Sequence, residues 1–287
     1  MTSRSTRWAQ AERWGLYALG AFTAVSIFGF GYYALHPENL PPSGFALRIY
    51  AISFNAFAQL HILVAFGALA TFLVARTGAR WIPALVGVYV LSFLSEHIGT
   101  GYGIPFGGYE YTGLLGARIG PRVPALIPLS WFLMALPSWV MARAVFRDRI
   151  PASIAVGALG LVLWDLALDP AMSFLTAYWR WEDAGPYYGM PWLNLVGWYV
   201  TGLVLMAVLA ARHHAARFDE LPVGWLLVYY GLMLLLPLGM LAVAGAWLGV
   251  FATLGAIGLT AAAVSGWSRA AAPEMAGEPA PEAVGAS

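Results

Sequence analysis

Residues 222–241 read PVGWLLVYYGLMLLLPLGML, a run without a single charged side chain. A helix needs about 20 apolar residues to cross the hydrocarbon core of a bilayer. Further stretches of similar length and character lie roughly at 14–34, 54–75, 81–99, 124–145, 152–172, 191–211 and 246–267. Together these runs predict an all-α fold, a polytopic transmembrane helical bundle of about eight spans.

The composition of the whole chain agrees with this fold class. Hydrophobic residues make up 60% of the sequence and charged residues only 10%, whereas a soluble domain carries about 25% charged residues. We expect one transmembrane domain over residues 1–267. Residues 268–287, rich in Ala, Pro, Glu and Gly, are expected to form a disordered tail.

The formal net charge of +1 offers no basic patch, so nucleic acid is not an expected partner. The oligomeric state stays open.

Arginine placement predicts the orientation of the spans. Cytoplasmic segments of membrane proteins are enriched in positive charge. Most Arg residues fall on one side of the predicted bundle, namely Arg4, Arg7, Arg13, Arg76, Arg80, Arg143, Arg147, Arg149, Arg212, Arg217 and Arg269. The other side holds Arg48, Arg118, Arg122 and Arg180. We therefore expect a multi-pass protein of the inner, cytoplasmic membrane with both termini in the cytoplasm. The alternative is a seven-span protein, which would place Arg269 outside.

Residue usage excludes several chemistries. The sequence contains no Lys, so a Schiff base to retinal or another carbonyl compound is excluded. Cys is absent, which removes thiol nucleophiles and thiolate metal sites. The five His residues form no multi-histidine cluster of the di-iron type. We expect no metal.

Polar side chains within the predicted spans gather in one leaflet, the outer one. An ionisable group at mid-depth in a bilayer costs at least about 2.5–3.5 kcal/mol, so each one needs a reason. These residues are Asn55, Gln59 and His61 on the second span, Glu96 and His97 on the third, Asp165 and Asp169 on the fifth, and Asn194 at the start of the sixth. Their common depth predicts a shared site.

Asp165 and Asp169 are four residues apart and therefore share one helix face. Two carboxylates so close together repel, and in an apolar setting one of them is expected to hold a proton. A protonated carboxyl group facing an apolar cavity is a usable general acid. A purely structural alternative is that these acids cap helices or pair with Arg118, Arg122 or Arg180. The glycine-rich segment Gly99–Gly108 is expected to be a tight loop that re-enters the outer leaflet.

Two blocks of sequence resemble a known family of integral-membrane carotenoid-biosynthesis proteins. The first block comprises Ser95–Thr100 (SEHIGT), Gly103–Gly107 (GIPFG), Tyr109–Thr112 (YEYT) and Ile127–Trp131 (IPLSW). The second comprises Trp164–Pro170 (WDLALDP), Trp179, Trp181, Tyr188–Pro191 (YGMP) and Asn194. Over roughly residues 15–265, the chain resembles bacterial carotenoid 1',2'-hydratases and archaeal bisanhydrobacterioruberin hydratases.

The resemblance implies an enzyme that adds water across the terminal 1',2' double bond of an acyclic carotenoid end group. The product is a tertiary alcohol, and no redox or other cofactor is expected. The implied partners are the lipid bilayer and a substrate such as lycopene, γ-carotene or a similar carotenoid. The sequence leaves open which carotenoid is used and whether one or both ends are hydrated.

The chemistry of hydration suggests roles for the polar residues. Protonation of the less substituted alkene carbon gives a tertiary carbocation, to which water adds. We expect catalytic roles for Glu96, Asp165 and Asp169, with Asp169 or Glu96 as the proton donor and Asp165 as its neighbour. The expected substrate-binding residues are Asn55, Gln59, His61, His97, Tyr109, Tyr111, Trp131, Trp164 and Asn194. For His61 and His97, packing is an alternative to a role in the site.

Two other classes of function compete with hydration. Asp165-x-x-x-Asp169 could form half of a Mg²⁺–diphosphate site in a polyprenyl-transferase, although no second acid-rich motif is evident. Intramembrane acids also occur in transporters and in carotenoid- or lipid-binding scaffolds. A transferase would require Mg²⁺ and a diphosphate substrate, and a scaffold would leave the polyene unchanged.

Overall fold

Eight α-helices form the described part of the chain. The structure is a computed structural model that describes residues 2–40, 42–147 and 149–270, without the side chains of residues 2–5, 54–55 and 268–270. The helices are α1 (Thr2–Gly29), α2 (Gly44–Thr77), α3 (Ile82–Tyr102), α4 (Leu126–Phe146), α5 (Ile150–Asp169), α6 (Trp192–Arg212), α7 (Val223–Val243) and α8 (Trp247–Ala270). Each contains a segment long and apolar enough to cross a membrane. The predicted bundle of about eight spans is confirmed, while its orientation stays a prediction.

Some helix ends differ from the predicted limits. Helix α2 begins at Gly44, well before the predicted start at residue 54, because Ser43 caps it by accepting a hydrogen bond from the backbone N–H of Ala46 (3.3 Å). Helix α5 continues beyond Asp169 through a π-helical turn, Pro170–Phe174. Most of the predicted tail, residues 271–287, lies outside the described residues.

Helix α4 forms the centre of the bundle. It packs against α2, α3, α5, α6, α7 and α8. Its large side chains Trp131, Phe132, Leu133 and Trp139 are at most 1% exposed. In contrast, the spans of α1 and α8 bury little of their surface within the protein. The interior of the bundle therefore lies around α4, and both α4 and its neighbouring helices contribute side chains to it.

Two long connections, 103–125 and 175–191, meet at one end of the bundle. They contain four short strands, β1 (Tyr109–Tyr111), β2 (Arg118–Ile119), β3 (Val123–Pro124) and β4 (Trp179–Trp181). Strands β2 and β3 pair with each other, and β1 pairs antiparallel with β4, so that Tyr109 lies opposite Trp181 and Tyr111 opposite Trp179. Since side chains alternate along a strand, both tyrosines of β1 are buried while Glu110 between them is exposed.

The loop before β1 folds back into the bundle. Phe106 is 2% exposed, and its ring lies between Gly99 of α3 and Gly197 of α6. A Cβ atom would come within 2.7 Å of the Phe106 ring at Gly99 and within 2.6 Å at Gly197, both closer than real contacts allow. The glycines thus let the ring pack between α3 and α6. The predicted loop over Gly99–Gly108 is wrong for Gly99–Tyr102, which form the last turn of α3, and its entry into the outer leaflet stays a prediction.

Candidate active site

A cavity of about 90 Å³ lies next to strands β1 and β4, at the end of the bundle where the two long connections meet. Residues of α2 to α7 also line it. Its lining is largely aromatic. The rings are those of Phe106, Tyr109, Tyr111, Trp131, Trp164, Tyr178, Trp179, Trp181 and Trp198. Few polar side chains reach it, namely His61, Glu96, Ser130, Asp169 and Asn194. Two carboxyl groups therefore face a small and otherwise mostly apolar space.

Glu96, on α3, is held by three neutral donors. The hydroxyls of Tyr109 and Tyr111 (2.7 Å) donate to Oε2, and the indole N–H of Trp131 donates to Oε1 (2.8 Å). The Glu96 side chain is 4% exposed. Both carboxylate oxygens are thus satisfied without a positive charge, and the orientation of the group is fixed.

The two tyrosines remain protonated donors. Burial, followed by the negative charge of Glu96, raises the pKa of Tyr109 well above its usual value near 10, and the same causes act on Tyr111. Both phenols lie on β1, where residues two apart share a face. The strand thus supplies two hydrogen-bond donors to one carboxylate at neutral pH.

Asp169 ends α5 and faces the cavity from another side. Oδ1 accepts from the hydroxyl of Ser173 (2.7 Å) and the indole N–H of Trp181 (3.1 Å). Oδ2 accepts from the indole N–H of Trp179 (3.2 Å), with the amide of Asn194 at 3.5 Å. Ser173 lies in the π-helical turn and the two tryptophans in β4. The fold therefore gathers the donors to Asp169 from three local elements.

Asp165 is set back from the cavity. The amide of Asn194 donates to its Oδ2 at 2.7 Å, and Oδ1 has no hydrogen-bond partner among the described residues. Asp165 is fully buried and does not line the cavity. Four residues along a helix correspond to a rise of about 6 Å, which explains why only Asp169 reaches the cavity. The structure thus brings Glu96 and Asp169 to one cavity and places Asp165 behind it, in contact with Asn194; the catalytic roles of the three acids stay a prediction.

His61 and the tryptophans complete the cavity wall. His61, on α2, is 5% exposed, and its Nε2 lies 3.1 Å from the hydroxyl of Thr23 on α1. Trp131 stacks on Trp198 with ring centroids 4.0 Å apart, and Trp164 meets Trp198 edge-on at 5.9 Å. Of the predicted site residues, Tyr109, Tyr111 and Asn194 also line the cavity.

Two predicted binding residues, His97 and Gln59, do not line this cavity. His97 follows Glu96 but points elsewhere and stacks on Phe93 (centroids 5.8 Å apart). Gln59 donates to the carbonyl oxygen of Leu114 (3.0 Å) and so anchors the loop after β1. The side chain of Asn55 lies outside the described residues.

The arginine-pairing alternative does not describe Glu96 or Asp169. Arg118 donates to the backbone carbonyls of Tyr111 (2.6 Å), Thr112 (3.2 Å) and Pro121 (3.2 Å). It stabilises the loop between β1 and β3. In the described part of the chain, every hydrogen-bond donor to Glu96 and Asp169 is neutral.

Several cavity residues were missing from the predicted site. They are Phe106, Ser130, Tyr178, Trp179, Trp181 and Trp198. One signal was present in the sequence: Tyr109-Glu110-Tyr111 and Trp179-Arg180-Trp181 share an aromatic–charged–aromatic pattern. Opposite charges at the central positions favour antiparallel pairing of two such strands.

A possible metal-binding group lies elsewhere in the described part of the chain. His213, His214 and Asp219 place one potential ligand atom each within 4.8 Å of one another, in the connection between α6 and α7. The indole N–H of Trp139 already donates to Nδ1 of His213 (3.2 Å). Burial, and secondarily the charge of Arg143, lowers the pKa of His213, so this imidazole stays neutral.

Comparison with known proteins identifies a family whose match includes the residues of the cavity. A family described as "Carotenoid biosynthesis protein" matches residues 57–260, which include every carboxyl group of the site. A curated relative, the bisanhydrobacterioruberin hydratase of Haloarcula japonica, is 30% identical over 171 residues, covering 58% of this chain and 55% of the relative. The chain thus spans about half the length of that relative. No solved structure matches.

Proposed function

The chain belongs to the family of carotenoid biosynthesis proteins, and from this premise we propose that it is a carotenoid hydratase. The proposed reaction adds water across the terminal 1',2' double bond of an acyclic end group, as in lycopene or γ-carotene. The observation that carries the proposal is the convergence of Glu96 and Asp169 on one small aromatic cavity. The name of the Haloarcula japonica relative supports the same class of reaction.

Asp169 is the proposed proton donor. Asp165 and Asp169 both contact the amide of Asn194, and two negative charges at such a buried site would be costly. We assign the proton of the pair to Asp169, because the amide of Asn194 is as far as 3.5 Å from its Oδ2, which leaves a site for the proton there, and because only Asp169 lines the cavity. The proton goes to the less substituted alkene carbon, the π electrons form the new C–H bond, and the positive charge remains on the tertiary carbon.

The remaining walls stabilise this cation. Aromatic faces attract a positive charge within about 6 Å, and Trp131, Trp164 and Trp198 surround the cavity. The carboxylate of Glu96 adds a fixed negative charge, oriented by its three donors. These groups are in place before the reaction, so they need no rearrangement when the charge develops.

Water completes the reaction at the tertiary carbon. A carboxylate offers about four lone-pair sites, and Glu96 uses three for Tyr109, Tyr111 and Trp131. The fourth can bind the attacking water. The oxygen bonds to the tertiary carbon, its extra proton passes to Glu96, and water in the cavity returns that proton to Asp169. The net change is alkene plus water to tertiary alcohol.

Production of a hydrated pigment tests the proposal. We expect a bacterium that makes lycopene or γ-carotene to accumulate, when it also expresses this chain, a carotenoid heavier by one water for each hydrated end. Mass analysis of extracted pigment measures the gain. An unchanged pigment, with the protein present in the membrane, would reject the hydratase function.

The proposed setting is the cytoplasmic membrane, with both termini in the cytoplasm. This orientation follows from the distribution of Arg residues, and it places the acid cavity toward the outer leaflet. A topology reporter fused after Trp267 is expected to read as cytoplasmic, whereas a periplasmic signal would reverse the orientation.

A further inference from the structure

A second and larger cavity lies beside the acid cavity. Its volume is about 500 Å³, and it is bounded by α1, the N-terminal part of α2, the π-helical turn after α5, and α7. Apolar and aromatic side chains dominate its lining, including Phe30, Ile49, Phe57 and Met240. The hydration chemistry proposed above uses none of these residues.

The two cavities meet at four shared residues. Ala58, Met172, Tyr178 and Leu236 line both of them. Ala58 is the smallest of the four, and Met172 is an unbranched, adaptable side chain. We refer to these four residues as the passage. Because these four residues line both cavities, the two cavities are adjacent, and a ligand that occupied both would have to pass beside them.

The large cavity is also accessible from the apolar surface of the bundle. Phe28 is 64% exposed, Phe45 75% and Ile49 49%, and all three contribute to its lining. In a membrane-spanning protein, such exposed apolar side chains face lipid. A hydrophobic ligand dissolved in the bilayer could therefore enter the cavity without crossing water.

The volumes of the two cavities suit different parts of a long ligand. The acid cavity, at about 90 Å³, can hold only the end of an isoprenoid chain together with water. The large cavity, at about 500 Å³, falls within the range of about 300–1,000 Å³ that is typical of small-molecule sites. Its lining contains no charged side chain and is mostly apolar, with hydroxyl groups from Ser26, Ser53, Thr176 and three tyrosines, and such a lining suits a polyene.

We propose that the cavity between α1 and α2 binds the polyene chain of the substrate, and that the passage admits only the end group to Glu96 and Asp169. This inference rests on the proposed hydratase function. It also assigns a specificity role to Ala58, since a larger side chain there would separate the polyene site from the acid cavity.

Filling the passage tests the proposal. In Ala58→Phe, we expect hydration of a long acyclic carotenoid to fall by roughly tenfold or more, because added bulk in a packed site displaces the ligand. Ala51→Phe is the matched control: the same change on the same helix, at an exposed residue outside both cavities. It is expected to hydrate the carotenoid as the wild type does.

A second pair of substitutions lies at the rim of the large cavity, where a larger side chain does not disturb the packed core. Ile49 lines the large cavity, whereas Ile52 does not, and both are exposed on α2 (49% and 68%). We expect Ile49→Trp to reduce the amount of unhydrated carotenoid that copurifies with the protein, and Ile52→Trp to leave it unchanged. Absorbance of the bound pigment measures this without any turnover.

The two readouts separate the inference from the hydratase function. Wild-type copurification and hydration by both Ala58→Phe and Ile49→Trp would overturn the polyene site and leave the hydratase function intact. Pigment that binds to the wild type, is lost in Ile49→Trp and is never hydrated would support the polyene site and reject the hydratase function.

Discussion

Two buried acid sites in this protein are built in opposite ways. Glu12, on α1, is 5% exposed, and Arg76 on α2 binds both of its oxygens, with Nε at 2.9 Å from Oε1 and Nη2 at 2.7 Å from Oε2. Glu96 and Asp169 are buried to a similar degree, yet their donors are neutral phenol, indole, hydroxyl and amide groups.

This difference separates an acid that joins two helices from the two acids that we propose to be catalytic. Arg76 forms a bidentate ion pair with Glu12 that joins α1 to α2. A carboxylate held in such a pair is not expected to take part in proton transfer. The acids of the cavity are oriented by neutral donors, with no cation among these donors, and they face space that a substrate can occupy. Burial alone therefore does not single out Glu96 and Asp169, and we propose a catalytic role for them because their partners are neutral and a cavity adjoins them.

The largest expected effect is the loss of hydration activity when an acid of the cavity is replaced by its amide. Asp169→Asn and Glu96→Gln should each lower the yield of hydrated carotenoid by about 10²–10⁴-fold, the usual contribution of a general acid or base. An amide of similar shape cannot deliver or accept the proton. Pigment analysis at matched membrane levels measures the loss. Wild-type yields from both variants would remove these residues from the mechanism.

Asp165→Asn tests the acid behind the cavity. Because Asp165 acts through Asn194 and Asp169, we expect a smaller loss, of roughly 10²-fold or less. Removal of its negative charge should also let Asp169 release its proton more readily, so activity should decline at a lower pH than in the wild type. A lower rate with an unchanged pH profile would indicate a packing role only.

Tyr111→Phe removes one donor from Glu96 and keeps the aromatic ring. A hydrogen bond to a charged group contributes about 1.5–3 kcal/mol, so we expect activity to fall by about tenfold or more while the protein stays folded. Phe93→Leu, a change in a ring beside His97 rather than at the cavity, serves as a control. Unchanged activity in Tyr111→Phe would show that the orientation of Glu96 does not matter.

The smallest expected effect on catalysis belongs to the neutralised acid. Glu12→Gln should leave turnover per folded molecule unchanged and lower the free energy of unfolding by about 1–2 kcal/mol, since Arg76 is partly exposed and the pair is partly screened. Thermal unfolding in detergent measures the loss. A loss of activity as large as that of Asp169→Asn would contradict the distinction between the two sites.

Hydropathy predicted much of the fold, because length and apolar content are properties of each helix alone. The common depth of Glu96, Asp165, Asp169 and Asn194 also predicted that they would share a region. Depth could not predict which face of each helix points inward. His97 follows Glu96 by one residue, a rotation of about 100° about the helix axis, and this rotation turns it away from the cavity.

The pairing of β1 with β4 was not predicted, and the matching triplets Tyr109–Tyr111 and Trp179–Trp181 are its only signal in the sequence. Each strand has three residues, too few for a period-two pattern to stand out, and the partners are far apart in the chain. Trp179 and Trp181 therefore could not be assigned to Asp169 beforehand. Their donor role depends on a contact between two connections that only the packed helices bring together.

Hydration in deuterated water tests the central proposal most directly. If Asp169 donates the proton, the purified protein should yield a tertiary alcohol carrying one non-exchangeable deuterium on the less substituted carbon of the former double bond, and Asp169→Asn should yield almost none. Mass spectrometry of the end group locates the label. A hydrated product without deuterium at that carbon, or equal labelled product from Asp169→Asn, would contradict protonation by this carboxyl group.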